Sequence, residues 1–138
     1  MGLDKNAAIK YERTLFEPEH ELFRESYRAF LDRHVAPHHD QWEKDKIVDR
    51  GVWLEAGKQG FLGMAVPEEY GGGGNPDFRY NTIVVEETVA GRYSGLGFSL
   101  HNDVVAEKVL VARDGYGTER VRLVGWNRAS VSDRAGVA

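Results

Sequence analysis

No stretch of this chain alternates apolar and polar residues for long enough to make a half-buried strand, which confines it to helices joined by turns. The first helical segment opens at Pro18, a residue suited to the first helical position because its missing N–H would have no partner there. Glu19 and Glu21 add negative charge beside the positive end of the helix dipole. Leu22, Tyr27, Phe30, Leu31 and Val35 recur at three- and four-residue spacing around Phe23. They predict a broad buried face, with Arg24, Glu25, Arg28 and Asp32 mainly opposite.

Pro37 restricts Ala36 and predicts a kink or interruption, followed by a more polar helical segment containing Trp42. Asp49 or Arg50 begins a shorter helix carrying Val52, Trp53 and Ala56, and Gly60 is placed to end it in a left-handed conformation. Phe61, Leu62 and Met64 read as a brief apolar link. Pro67 and the run Gly71 to Gly74 mark a long flexible loop, since consecutive glycines make regular structure entropically costly. Pro76 suits the first turn of a helix reaching about Ala90, with Tyr80, Ile83, Val84, Glu87 and Thr88 inward. Gly91 and Ser94 to Gly97 break the pattern before a last helix through Ser99 to about Ala112. The expectation is an all-α fold of antiparallel helices. Residues 1–14 read as an N-terminal tail, 15–119 as the helical domain, and 120–138 as an atypical tail without an apolar period.

With 138 residues, 41% of them hydrophobic, the chain can fill one modest core. Eighteen basic against 22 acidic residues give a net charge of -4, which argues against a nucleic-acid footprint or a polybasic membrane surface. Without cysteine there is no disulfide framework, thiol nucleophile or thiolate metal site. No apolar run has the form of a signal segment or the length of a membrane span, so a cytoplasmic protein is expected.

Few residue groupings carry chemistry. His34, His38 and His39 have a spacing that can bring imidazoles together, but Pro37 disturbs that turn and no further ligand set accompanies them, so no metal site is expected. The glycine run matches neither dinucleotide nor P-loop spacing and reads as a connection. Glu86 and Glu87 are adjacent and would diverge by about 100° on a helix; His101 and Asp103 likewise face apart. No catalytic residue is assigned. The segment SGLGFSLHNDVV is more suggestive: Gly95 and Gly97 remove bulk while Leu96, Phe98, Leu100 and Val104 offer apolar surface. It suits either an alkyl channel or close helix packing.

From about Thr14 to Leu110, five features resemble the acyl-CoA dehydrogenase family, most nearly its long-chain type. They are the amphipathic first helix, HHDQWEK, VWLEAGKQGFLGMAVPEEYGG, VVEETV and GFSLHNDVV, in that order. The resemblance implies the N-terminal helical domain of an enzyme that also has a middle β domain and a C-terminal helical domain. Such enzymes use FAD to take a hydride from the β carbon of a fatty acyl-CoA while a glutamate removes the α proton. The product is the trans-2-enoyl-CoA, and an electron-transferring flavoprotein accepts the electrons. By the same resemblance, Leu96, Ser99, Leu100 and Val104 would wall the acyl end of the cavity.

After Tyr116-Gly117-Thr118-Glu119 the chain departs from the family pattern, and no flavin-contacting segment or catalytic glutamate is recognised. Residues 120–138 therefore read as a truncated or out-of-frame end, with a native short tail as the alternative. The resulting expectation is the N-terminal part of a dehydrogenase, inactive alone, with FAD binding by this chain not expected. The competing readings are a non-catalytic helical module, self-associating or pairing with related dehydrogenase chains, and a small helical acyl-binding protein.

Overall fold

The computed structural model describes residues 13–106. Among them are helices and turns and no strand. α1 spans Pro18–Phe30, with Pro18 at its start and Glu19 and Glu21 in its first turn. It runs through a π turn, Leu31–Val35, into α2, Ala36–Asp45. That wider turn is how the chain keeps Pro37 inside a helix: proline donates no hydrogen bond and its ring would clash with the carbonyl four residues earlier. α2 buries no residue fully, in keeping with its polar sequence.

α3, Arg50–Lys58, is capped by the Asp49 carboxylate, which accepts from the Gly51 N–H. Gly60 ends it at φ +81°, with Phe61 N–H donating to Ala56 O and Gly60 N–H to Gly57 O. Phe61 is thereby turned inward to become the hub of the core. Its ring lies 5.0 Å from Tyr27, 5.2 Å from Phe30 and 5.5 Å from Phe23. Val35, Val52, Ala56, Val84, Leu96 and Phe98 close around these rings.

A 3-10 turn, Glu68–Tyr70, leads to the glycine run, and α4 spans Phe78–Ala90. Asp77, not Pro76, sets where α4 begins: its carboxylate caps the Arg79 N–H, and Pro76 lies outside the helix. Asn81, Ile83, Val84 and Glu87 face inward. A second 3-10 turn, Ser94–Leu96, precedes α5, Phe98–Leu100, which continues as a π turn, His101–Val105. The expected extension to Ala112 and the tail 120–138 lie outside the described residues.

Two side-chain placements differ from the sequence expectation. Leu22 is 68% exposed, while Arg24, expected on the polar side, is 9% exposed because partners on α4 make its burial tolerable. Also, α1 and α4 run parallel, since His20 meets Asp77 at the start of α4 and Tyr27 meets Thr88 near its end. Antiparallel neighbours follow from short connections, and this pair is separated by α2, α3 and the glycine loop.

Candidate functional site

Acidic and basic side chains converge along the α1–α4 seam. Arg24 Nη1 donates to Glu87 Oε1 at 2.6 Å and to Glu86 Oε2 at 3.0 Å. Arg28 grips Glu87 with Nε at 2.6 Å and Nη2 at 3.1 Å, and Arg13 Nη2 reaches Glu86 Oε1 at 2.6 Å. The adjacent glutamates therefore share one guanidinium after all: their backbones diverge, but long side chains fold back to an arginine lying between them. Burial pushes the Glu87 carboxyl up, yet the Arg28 and Arg24 hydrogen bonds outweigh it and hold the group below the usual carboxylate range. The Arg13 bond, supported by Arg24, does the same for Glu86. Carboxylates stabilised this way are weaker bases, so the arrangement ties two helices together and is poorly suited to proton abstraction.

Sequence reasoning passed over His20, which is fully buried. Its Nδ1 accepts from the Glu17 N–H at 3.0 Å, and its Nε2 lies 3.0 Å from Asp77 Oδ2. The first contact puts the neutral ring's proton on Nε2, which donates to the carboxylate. One imidazole thus completes the start of α1 and touches the cap of α4. The Arg79 side chain and backbone N–H, helped by His20, hold the Asp77 carboxyl well below its ordinary range. Glu17, Glu19 and His20 bring ligand-type atoms within 4.8 Å of one another, but both imidazole nitrogens already have these partners. His34, His38 and His39 go separate ways, against Phe30, Trp42 and Tyr93.

The glycine run is a tied loop. Gly71 N–H donates to Glu68 O, Gly72 to Pro67 O, Gly73 to Gly63 O, Gly74 to Val66 O, and the following Asn75 to Met64 O. A Cβ on Gly72 would fall 2.1 Å from Val66 O, so at that position glycine is required by the approach of the chain to itself. The flexible connection read from the sequence is, in the fold, a strap bonded to residues 63–68.

The segment assigned to a channel wall is divided between interior and surface. Leu96 is buried in the core, Ser99 is half-buried, and Leu100 and Val104, one turn apart, are exposed at 61% and 40%. Gly97 has φ +77°, and a Cβ there would meet the Trp53 ring at an ordinary 3.5 Å, so conformation rather than space demands this glycine. Farther along, Asn102 is buried and accepts from Gly63 N–H while donating to Phe61 O, pinning the π turn to the link that follows α3. Asp103 accepts from Asn81 Nδ2, pinning it to α4. Asn102 went unnoticed in the sequence, where a lone asparagine carries no periodic signal.

This helical scaffold has known counterparts. A family model described as the acyl-CoA dehydrogenase N-terminal domain matches residues 17–122. The chain belongs to the acyl-CoA dehydrogenase family. It is 43% identical over 107 residues to the long-chain specific acyl-CoA dehydrogenase, mitochondrial, of Mus musculus, and 44% identical over the same length to that of Sus scrofa. Those matches cover 78% of this chain and 24% of each relative. The crystal structure of an acyl-CoA dehydrogenase from Geobacillus kaustophilus superposes with a TM-score of 0.66 at 37% identity, covering 78% of this chain and 27% of that one. The chain thus spans about a quarter of the length of these dehydrogenases.

Acyl-CoA dehydrogenases are FAD-dependent. The glycine strap of this family member does not fit a flavin pyrophosphate, because the amides that would cradle it are bonded to the chain's own carbonyls.

Proposed function

We propose that these residues form the N-terminal helical part of a FAD-dependent enzyme that dehydrogenates a fatty acyl-CoA to the trans-2-enoyl-CoA. The reading rests on the family match over residues 17–122 together with the 43% identity to a long-chain enzyme. Within it, the chain supplies shape. Ser99, Leu100 and Val104 face the acyl chain and Leu96 supports them from the core. Flavin contacts and the proton-abstracting base come from beyond the described residues, and an electron-transferring flavoprotein takes the electrons. Glu86 and Glu87 are not the base, since arginines hold both as stable anions.

A chimera tests this. Residues 17–106 replacing the matching segment of a long-chain dehydrogenase should leave it active, and Leu100→Trp in that chimera should shift its preference toward shorter chains by filling apolar space. A chimera that folds and binds flavin but accepts every chain length unchanged after Leu100→Trp would remove the wall assignment. The 138-residue chain mixed with FAD, an acyl-CoA and an artificial acceptor should show no turnover, because alignment of base, substrate and flavin supplies roughly 7–11 kcal/mol of such a barrier reduction. A second reading, a non-catalytic module that pairs with related dehydrogenases, draws on the exposed apolar side chains of α4 and the α5 segment.

A further inference from the structure

The turn that carries the proposed acyl wall is held from behind. Leu100 and Val104 lie four residues apart on one side of it and are exposed, whereas Asn102, midway between them, points the opposite way and is buried. Its side-chain amide uses both ends: Oδ1 accepts from Gly63 N–H at 2.9 Å, and Nδ2 donates to Phe61 O at 2.9 Å. The paired carbonyl and amino groups of an amide satisfy both partners, which an aspartate or a leucine of similar size does not.

Both partners are themselves fixed. Phe61 is the hub of the core, and Gly63 O takes the Val66 and Gly73 N–H groups, which ties the link to the strap. At the start of the segment Phe98 packs on Trp53 and Phe30, but apolar contact is non-directional and leaves a short helix free to roll. Hydrogen bonds are directional and fix the angle. The segment they fix is a π turn, His101–Val105, a conformation that gathers at functional sites. With a side-chain tip about 6 Å from the helix axis, a roll of about 20° moves that tip by about 2 Å. Room for a single methylene in an apolar pocket changes discrimination by about 10–200-fold.

We propose that Asn102 is a positioning residue for chain-length selection. By locking the angle of the π turn against residues 61–63, it sets how far Leu100 and Val104 reach into the acyl channel, without touching the acyl chain itself. Asp103, held by Asn81 on α4, adds a second tie to the same turn. The proposal rests on Leu100 and Val104 walling that channel, which Leu100→Trp tests separately.

In the chimera carrying residues 17–106 within a long-chain dehydrogenase, Asn102→Ala should broaden the chain-length profile. The kcat/KM preference for the best chain over a longer one should fall about tenfold. The change should lie in KM for the longer chain, with kcat for the best chain within about twofold of the parent, since base and flavin are held elsewhere. Asn102→Asp, close in size but without the donor to Phe61 O, should act in the same direction and serves where the alanine variant does not fold. Glu87→Gln weakens the α1–α4 seam instead, so it should lower the urea midpoint and leave the profile as in the parent. In the 138-residue chain, Asn102→Ala should speed amide exchange of His101–Val105 relative to α1, and unchanged exchange there would show that Asn102 does not hold the turn. If Leu100→Trp shifts the profile while both Asn102 variants keep it, the wall stands and the role of Asn102 falls. If Leu100→Trp changes nothing, wall and positioning fall together. Equal broadening by Glu87→Gln would reduce Asn102 to a stabilising residue and overturn the proposal as well.

Discussion

Arg24 Nη1 lies 2.6 Å from Glu87 Oε1, and both residues are more than nine-tenths buried. Removing one partner leaves the other charge with little water to replace it. Glu87→Ala should therefore cost about 3–5 kcal/mol in urea unfolding. The double variant Arg24→Met, Glu87→Leu should recover much of that loss, because the expense lies in an unpaired buried charge. Equal loss in single and double variants would instead point to packing.

The same network sets the acid limit of the fold. Glu86 and Glu87 have folded-state pKa values depressed by their arginines, so their contribution is fully present above the ordinary carboxylate range and lost as pH falls through the depressed values. Urea midpoints should stay level near neutrality and decline below about pH 4.5. Glu87→Gln should be less stable at neutral pH with a shallower acid decline.

Tyr27 governs the alkaline side. Burial pushes its hydroxyl up to about 12, against the hydrogen bond to Thr88 that opposes the shift. A raised folded-state value means that the contribution is intact below about pH 10 and lost as pH rises toward 12. Ultraviolet titration should show one tyrosine ionising late, together with loss of helical signal. Tyr27→Phe should remove that step.

The glycine strap should resist exchange. Amides of Gly72 to Asn75 are all bonded to backbone carbonyls and should exchange more slowly than those of unbonded surface turns. Gly72→Ala should cost about 1–3 kcal/mol or more through the clash with Val66. Gly60→Ala, with open space but φ +81°, should cost about 1–2 kcal/mol through backbone strain alone.

Lys46 offers a gain. It closes α2 at φ +56°, a left-handed position that glycine occupies without strain. Lys46→Gly should raise stability by up to about 1 kcal/mol, read as a later urea midpoint.

What the sequence determined was local: Pro18, Asp49 and Gly60 begin or end helices through their own backbone chemistry, whatever else the chain does. Its motifs also carried the family. Tertiary structure decided which side chains meet across long separations. Arg24 reads as surface on α1 alone and becomes interior because α4, 62 and 63 residues later, brings Glu86 and Glu87 to it. The strap likewise reads as flexible until residues 63–68 supply carbonyls for its amides. A buried polar group is tolerable only with its partner, and a partner far along the chain leaves no period or spacing in the sequence by which to find it.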